Sequence, residues 1–380
     1  MSAVRIGIIG IGNIGQQHAK LLSGGVIDGA ELSAVCGRGG DLGAPFGVPC
    51  FPDHQALIES GLVDAVLIAT PTQSHPEIGF AALKEGLHVL MEKPLAMSIG
   101  EAQGLVSAAP EQSRFAVMLN QRFHPAYARI KTLLDEGRLG PLQRFAWTMT
   151  GWYRPDVYYK VSKWRGTWPG EGGGLLINQC IHNLDVLQWL VGMPSEVFAV
   201  AGFGKYHEID VEDEVTATLR FANGLTGAVT ASSGEAPGIN QLDLVGDLGT
   251  LRFDGERVRL YASAQSVADH CANTLDMFGM PEFTEHPIQP AEPVDQHGAV
   301  LRNFVHAIAR GEPLATPAAA GLPSIELANA MLLSAWRGQA VALPLDAEAY
   351  EATLQRKIAS TSLRQPAAIE ANIDMAKSYR

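Results

Sequence analysis

The fold of this chain is decided by the stretch VRIGIIGIGNIG, residues 4–15. Residues 4–9 form a short, mostly apolar run, as is typical of a strand that is covered on both faces. A helical pattern follows Gly15, and the glycines Gly10, Gly12 and Gly15 lie between the strand and the helix. In this position the first glycine permits a tight turn, the second lets the backbone approach a bound group, and the third lets helix and strand pack closely.

A glycine turn of this kind predicts a phosphate-binding site. The N-terminus of the following helix offers free N–H groups and the positive end of the helix dipole, and both favour a pyrophosphate. The pattern alone is weak because 40 of the 380 residues are glycine, but the strand before it and the helix after it give it weight. We predict that a dinucleotide binds at Gly10, Ile11, Gly12, Asn13, Ile14 and Gly15.

Short apolar runs alternate with longer amphipathic segments from Val4 to about Gln121. This alternation predicts βαβ units, and hence a parallel sheet with right-handed crossovers. The runs VRIGII, DAVLIA and HVLM are its predicted central strands. The fold class is therefore α/β, and residues 1–122 are predicted to form an N-terminal Rossmann domain.

The pattern changes after Arg122. Alternating β-type runs are joined by Asn-Gly and Asp-Gly pairs, which indicate hairpins of a mixed or antiparallel sheet. Between them, apolar spacing from Leu176 onward predicts a helix that includes His182 and ends at Gly192. We predict a C-terminal α/β domain with an open, mainly antiparallel sheet over residues 123–345, followed by a helical tail over residues 346–380.

Composition excludes several classes of function. Forty acidic against 28 basic residues give a net charge of −12, the wrong sign for non-specific binding to nucleic acid. The four cysteines form no CxxC pair, so neither a zinc site nor a disulfide framework is predicted. The first apolar run lacks the features of a signal peptide, and no run reaches the about 18 apolar residues of a membrane span. We expect a cytoplasmic protein without nucleic-acid or membrane partners.

The end of the second predicted strand bears on the choice of nucleotide. An acidic residue that binds the adenosine ribose is expected about 20 residues beyond the glycine turn, but the sequence there is Val35-Cys36-Gly37-Arg38. A guanidinium favours a 2′-phosphate, so the sequence favours NADP over NAD. Two alternatives remain: Arg38 stacks on the adenine or faces solvent, or Asp41 reaches back to the ribose.

Four separated motifs together resemble one family. They are the glycine turn of residues 10–15, Ala69-Thr70-Pro71-Thr72-Gln73-Ser74-His75, Glu92-Lys93-Pro94, and the block GGGLLINQCIHNLD at residues 172–185. In this order they resemble the Gfo/Idh/MocA family of nicotinamide-dependent sugar and cyclitol oxidoreductases. The resemblance extends from the first strand to about residue 345.

The resemblance implies roles for individual residues. Thr70, Pro71 and His75 match a loop close to the nicotinamide ribose, and Arg122 matches a position that lines the cofactor cleft. Glu92 and Lys93 belong to a triplet whose lysine reaches both cofactor and substrate hydroxyl and is often followed by a cis proline. Two further residues are implied in catalysis: His182 matches the catalytic histidine, and Asn178 stands where dehydrogenases of the family usually have aspartate.

These residues make chemical sense without the family. Oxidation of a secondary alcohol removes the hydroxyl proton as hydride leaves the carbon, which needs a base with a pKa near the working pH. His182, with an ordinary pKa of about 6.5, is the natural base, and Lys93 can stabilise the developing alkoxide. Asn178, four residues before His182 on the predicted helix, can orient these groups but cannot carry charge.

A loop between Gly151 and Gly172 is rich in aromatic and charged residues. Aromatic faces stack on the C–H face of a sugar, and charged groups bind its hydroxyls; the alternative is that the aromatics plug the second domain or a subunit contact. The candidate substrate-binding residues are Tyr153, Arg154, Tyr159, Trp164 and Arg165 in the loop, with Lys93, Asn178, His182 and His297. No metal site is predicted, because the histidines lack ligand spacing.

The sequence thus predicts an oxidoreductase that transfers hydride between NADP or NAD and a secondary hydroxyl of a sugar, cyclitol or glycoside. The family resemblance implies a homodimer or homotetramer. One alternative is an enzyme that keeps its cofactor bound and oxidises a sugar only transiently, in glycoside cleavage or sugar–sugar oxidoreduction. A second alternative, from a different class, is a non-catalytic sensor that retains the fold.

Overall fold

Two β-sheets organise the chain, which is described by a computed structural model at residues 3–289, 292–362, 365 and 367. The first sheet has six parallel strands in the order β3-β2-β1-β4-β5-β6. Its strands are Val4–Ile9 (β1), Ala30–Cys36 (β2), Cys50–Phe51 (β3), Ala65–Ile68 (β4), His88–Met91 (β5) and Phe115–Val117 (β6). Its helices are Asn13–Ser23 (α1), His54–Ile58 (α2), His75–Lys84 (α3) and Ile99–Ser107 (α4). This is the predicted Rossmann fold.

Local sequence sets several boundaries of this domain. Asp53 caps α2 by accepting a hydrogen bond from the Ala56 amide at 2.8 Å, and Ser98 caps α4 through the Glu101 amide at 3.4 Å. The strand order reverses between β1 and β4, which is where ligands of such sheets bind, beyond the carboxyl ends of the strands.

The second sheet has nine strands in the order β14-β13-β12-β11-β7-β10-β9-β8-β15. They are Leu142–Met149 (β7), Glu196–Phe203 (β8), Glu212–Arg220 (β9), Thr226–Ser232 (β10), Asn240–Gly246 (β11), Gly249–Phe253 (β12), Val258–Ser263 (β13), Phe283–Ile288 (β14) and Val341–Ala342 (β15). Of its pairs, β7 with β10 is parallel and the others are antiparallel. The prediction of a mainly antiparallel sheet is confirmed.

The remaining helices are Pro125–Asp135 (α5), Asp156–Lys160 (α6), Trp168–Glu171 (α7), Ile181–Val191 (α8), Val267–Asn273 (α9), Gln296–Arg310 (α10), Leu322–Arg337 (α11) and Ala347–Ala359 (α12). Helix α11 packs on β8 and α8. Residues 318–337, which include α11, are long and apolar enough to cross a membrane by length and composition alone, but 67% of their most apolar window is buried inside the fold. They therefore have the burial expected of a core helix.

Two helices join parts of the chain that are distant in sequence. Residues 296–310, which were predicted to belong to the second domain, form α10, and its Leu301 and Phe304 pack in the core around β1. In the predicted tail, α12 buries Tyr350 and Leu354, while residues 363, 364, 366 and 368–380 lie outside the described part of the chain.

Candidate active site

The glycine turn after β1 has the shape that a dinucleotide needs. Gly10 has a φ of +98°, and a Cβ there would lie 2.7 Å from the Ala69 carbonyl carbon. A Cβ at Gly15 would lie 2.0 Å from the Gly10 oxygen, whereas one at Gly12 would meet nothing within 4 Å among the described residues. Gly10 and Gly15 are therefore required by close packing, and Gly12 leaves open space at the N-terminus of α1, where a pyrophosphate fits.

The loops after β4 and β5 are joined by His75. Its buried ring lies between two main-chain oxygens, with Nδ1 2.7 Å from Pro94 O and Nε2 2.9 Å from Thr70 O. Burial lowers the pKa of His75. The ring therefore fixes the Thr70-Pro71 loop to the loop that carries Lys93, while a direct contact of His75 with cofactor stays a prediction.

Lys93 lies at the junction of the two domains. It follows β5, and its bond to Pro94 is cis, as the family resemblance implied. Its Nζ donates to the main-chain oxygen of Asn178 at 3.0 Å. Burial lowers the pKa of Lys93, although the charges of Glu92 and Glu171 act in the opposite direction.

Glu92 is part of a buried group behind the lysine. Its Oε1 lies 2.8 Å from His18 Nε2, and its Oε2 accepts from the Lys93 amide at 3.2 Å. The ring of His297, on α10, meets that of His18 with centroids 5.6 Å apart. Burial alone would raise the pKa of Glu92, but the hydrogen bond from His18 and the charges of His18, His297 and Lys93 lower it to about 2. The contacts of Glu92 thus hold Lys93 in place, and a cofactor contact for it stays a prediction.

His182 lies in the first turn of α8 and is 3% exposed. Its ring stacks on Trp152, with centroids 6.4 Å apart and 20° between the planes. The indole of Trp152 is itself held by a 2.9 Å hydrogen bond to Asn183 Oδ1. Burial and the charge of Lys93 lower the pKa of His182 well below its ordinary value. At neutral pH this imidazole is therefore uncharged and able to accept a proton.

The prediction that Asn178 lies on the His182 helix is wrong. Helix α8 begins at Ile181, and residues 172–180 form turns. The Cys180 amide donates to Leu175 O, five residues back, at 2.7 Å, which interrupts the helical pattern, and the distant Glu212 carboxylate on β9 holds the turn by accepting from the Gly174 and Leu176 amides at 2.9 Å. Asn178 nevertheless reaches the site, because its main-chain oxygen contacts Lys93.

Sequence reasoning missed two residues of the site, Glu171 and Tyr158. The Glu171 carboxylate is 2% exposed and accepts a hydrogen bond from the Asn178 side-chain amide. The Tyr158 hydroxyl lies 3.4 Å from Asn178 Nδ2 and 3.3 Å from Gln179 Nε2. A glutamate beside three glycines has the local pattern of a solvated turn, and the pair Tyr158-Tyr159 gave no sign of which ring faces the site.

The aromatic loop divides into buried and accessible parts. Tyr159 is 5% exposed and its hydroxyl lies 3.4 Å from Ser233 Oγ, so this aromatic side chain fills the interior of the second domain. Tyr153, by contrast, is 48% exposed. The Arg165 guanidinium lies 4.2 Å from the Tyr158 ring centroid and 5.0 Å from that of Trp164, and the Arg154 guanidinium lies 5.3 Å from that of Tyr158. Polar and aromatic groups thus meet around Tyr158.

Arg122 joins the two domains. It forms a two-point ion pair with Asp185 of α8, at 2.9 and 2.6 Å, and donates to Ala320 O at 3.2 Å. Asp185 is 1% exposed. These contacts place α8, and with it His182, on the first domain; a contact of Arg122 with the cofactor stays a prediction.

The end of β2 carries the residues that bear on the nucleotide. Arg38 is exposed. Asp41 is engaged elsewhere, because its Oδ1 accepts from the Gly43 and Ala44 amides at 3.1 Å. Within residues 3–289 and 292–362, no group of three or more His, Cys, Asp and Glu side chains could hold a metal ion.

Comparison with protein families settles the class. Residues 4–121 match the model of the oxidoreductase family with an NAD-binding Rossmann fold, and residues 127–252 match the GFO/IDH/MocA C-terminal domain. The chain belongs to the Gfo/Idh/MocA family. This oxidoreductase family binds NAD through the domain that carries the glycine turn described above.

Several proteins of known name resemble this Gfo/Idh/MocA member. The NAD⁺-dependent scyllo-inositol 2-dehydrogenase of Bacillus subtilis is 29% identical over 60% of this chain and 67% of its own length. The myo-inositol 2-dehydrogenase of Thermotoga maritima is 27% identical over 84% and 91%. Among solved structures, the WlbA dehydrogenase of Bordetella pertussis with NADH and UDP-GlcNAcA superposes with a TM-score of 0.76 at 27% identity, covering 90% of this chain and all of that one.

Proposed function

We propose that this protein catalyses reversible oxidation of a secondary hydroxyl of a sugar, cyclitol or glycoside, with His182 as acid/base and Lys93 polarising the hydroxyl. One observation carries the proposal: the half-buried Lys93, which follows β5 of the first domain, donates to the main-chain oxygen of Asn178 at 3.0 Å, and its charge acts on the buried His182 four residues further along. The names of the relatives, scyllo- and myo-inositol 2-dehydrogenase, support this substrate class.

The chemistry follows from the charge state of these two side chains. The nicotinamide ring, when bound, accepts or returns a hydride. We assign uptake of the hydroxyl proton to His182, whose imidazole is neutral because burial and the charge of Lys93 lower its pKa well below the ordinary value. The Lys93 ammonium donates a hydrogen bond to the alkoxide as it develops. Asn178 orients Lys93 through its main-chain oxygen.

The test of this proposal is the variant His182→Ala. We expect turnover to fall by about 10²- to 10⁴-fold, the usual contribution of a general base. Nucleotide affinity, measured by quenching of tryptophan fluorescence, should stay nearly unchanged, because the glycine turn is on the other domain. Full activity of His182→Ala on the best substrate of a sugar and inositol panel, followed at 340 nm, would show that another group is the base.

The cofactor-retaining alternative differs in whether nucleotide leaves the protein, and the aromatic loop and Asn178 are the features that favour it. Freshly purified protein is denatured by heat, and the released nucleotide is identified by absorbance and mass. A stoichiometric amount, with turnover of glycosides in the absence of added nucleotide, would favour the alternative. Protein without nucleotide that reduces added NAD or NADP would favour the dehydrogenase.

We propose further that NADP is preferred over NAD. Support comes from the exposed guanidinium of Arg38 beyond β2 and from Asp41, whose Oδ1 is taken up by two main-chain amides. The inositol dehydrogenase of Bacillus subtilis is named for NAD⁺, so the two nucleotides are compared directly. We expect Arg38→Ala to weaken NADP binding by about tenfold, the loss of one charge-assisted contact, with little change for NAD. Equal losses for both would remove the 2′-phosphate argument.

We also propose that the protein assembles as a homodimer or homotetramer through the outer face of the second sheet, and that it works in the cytoplasm. On β8, Phe198 and Val200 are 41% and 62% exposed while Val197 and Ala199, which alternate with them, are buried, and this leaves apolar side chains on the outer face. The four cysteines are free thiols. Sedimentation velocity would measure the oligomeric state, and a single boundary with the mass of a monomer would exclude the proposed assembly. Fractionation of the source cells would test the location.

A further inference from the structure

Glu171 is a buried carboxyl group to which the proposed reaction assigns no role. It ends α7 and is 2% exposed. Its Oε2 accepts from the Gly166 amide at 2.6 Å, and its Oε1 accepts from the side-chain amide of Asn178. Both oxygens of the carboxylate therefore have a donor in a part of the protein from which water is excluded.

Asn178 connects this carboxyl group to Lys93. The side chain of Asn178 is held by Glu171, and its main-chain oxygen accepts from Lys93 Nζ at 3.0 Å. The two charges also act on each other: the ammonium lowers the pKa of Glu171, and the carboxylate raises the pKa of Lys93. Burial has the opposite effect on each group, so each charge depends on the other.

We propose that Glu171 is a positioning residue of this reaction, which holds Lys93 through Asn178 and supplies the negative charge that keeps Lys93 an ammonium. The inference rests on the proposed function of Lys93. An asparagine at position 178 cannot carry this charge, and the structure places a carboxylate on the asparagine's own amide. The negative charge that an aspartate at position 178 would carry thus lies one hydrogen bond away, on Glu171.

The surroundings of Glu171 determine when it is charged. Facing it are Lys93 after β5, Arg165 of the aromatic loop, Glu212 on β9 and the hydroxyl of Tyr159 on α6, while the Tyr158 hydroxyl contacts Asn178 instead. Burial raises the pKa of Glu171 to about 7, against the hydrogen bonds of Gly166 and Asn178 and the charges of Arg165 and Lys93. Glu171 is therefore ionised above about pH 7 and neutral below it.

This arrangement gives a signature in the pH profile. Above pH 7 the wild-type protein has its counter-charge, and Glu171→Gln does not, so the pKa of Lys93 falls in the variant. At a pH above the Lys93 pKa of both proteins, a fall of one unit in this pKa reduces the fraction of Lys93 in the ammonium form about tenfold. We expect the rate of Glu171→Gln to be close to wild type at pH 6 and about tenfold lower at pH 8.5, with its alkaline limb moved to lower pH.

Two further variants separate charge from packing. Glu171→Asp keeps the charge and should recover part of the rate at pH 8.5. The double variant Glu171→Gln with Asn178→Asp exchanges carboxyl and amide across their hydrogen bond, and should return the alkaline limb towards its wild-type position. Glu326→Gln is the control, because that carboxyl group accepts a hydrogen bond from a main-chain amide, that of Leu345 at 2.8 Å, on a different helix; it should leave the alkaline limb in place.

The pKa of Lys93 can be measured without turnover. The rate at which acetic anhydride labels Lys93, followed by mass spectrometry from pH 6 to 10, reports its free amine in wild type and Glu171→Gln. A lower Lys93 pKa in Glu171→Gln supports the inference whether or not any substrate of the panel reacts. Failure of every substrate would count against the proposed function alone. An unchanged labelling curve, or parallel pH–rate profiles of the two active proteins, would overturn the inference.

Discussion

Two buried glutamates act on Lys93 from different domains, and their charge states differ. Glu92 of the first domain is 7% exposed and has a pKa of about 2, whereas Glu171 of the second is 2% exposed and has a pKa of about 7. Glu92 contacts His18 directly and lies in the field of His297 and Lys93, whereas the hydrogen bonds of Glu171 come from neutral amides. Burial is similar, so the nature of the partners decides which carboxyl group stays charged.

The largest effect should come from removing the charge at Glu92. In Glu92→Gln the group around His18 and Lys93 loses its negative member, and we expect the free energy of unfolding at pH 7 to fall by about 3–5 kcal/mol, as when one partner of a buried ion pair is removed. Urea unfolding followed by circular dichroism measures this. Glu77→Gln, at a side chain 76% exposed, is the control and should change stability by less than about 0.5 kcal/mol. Equal stability of the two variants would mean that Glu92 is not held by charge.

A smaller effect should appear in the pH dependence of stability. A carboxyl group whose pKa rises on folding, as for Glu171, contributes stability below its unfolded pKa of about 4.5 and loses it as the pH rises through about 7. Between pH 5 and pH 8.5, wild type should therefore lose on the order of 2 kcal/mol relative to Glu171→Gln. Glu92 has the opposite sign, because its lowered pKa contributes stability above pH 4.5 that is lost towards pH 2.

Urea titrations of wild type and Glu171→Gln at four pH values between 5 and 8.5 measure the difference. Glu212 also titrates near pH 7 because burial raises its pKa to about 7, so both proteins should lose some stability in this range and only the difference between them is informative. If the free energy of unfolding changed with pH identically in the two proteins, Glu171 would not change its protonation between pH 5 and 8.5. Its charge state would then not differ from that of Glu92 in the way described above.

The part of the site on the Rossmann domain could be predicted from sequence because its geometry depends mainly on neighbouring residues. The positive φ of Gly10, the open position at Gly12 and the packing of Gly15 against Gly10 lie within six residues, and only the contact of Gly10 with Ala69 comes from a distant part of the chain. The cis bond after Lys93 also lies inside a recognisable triplet. A parallel sheet then brings the carboxyl ends of β1, β4 and β5 to one edge, so the order of the motifs was enough to place them together.

The part of the site on the second domain could not be predicted in the same way, because its geometry depends on residues that are distant in sequence. The turns of residues 172–180 depend on Glu212, more than thirty residues further along the chain. The role of Glu171 depends on burial beneath the loop that contains Tyr158 and Arg165. Apolar spacing alone favoured one continuous helix from Leu176, since periodicity registers which residues are apolar and not which amides a distant carboxylate binds.

The ion pair between Arg122 and Asp185 has a consequence for how substrate enters and leaves. Asp185 lies three residues after His182 on α8, and its two-point contact with Arg122 fastens that helix to the end of the Rossmann sheet. A hinge between the domains would have to break this buried contact at every turnover. We therefore expect His182 and the glycine turn of residues 10–15 to keep a fixed separation as substrate enters and leaves.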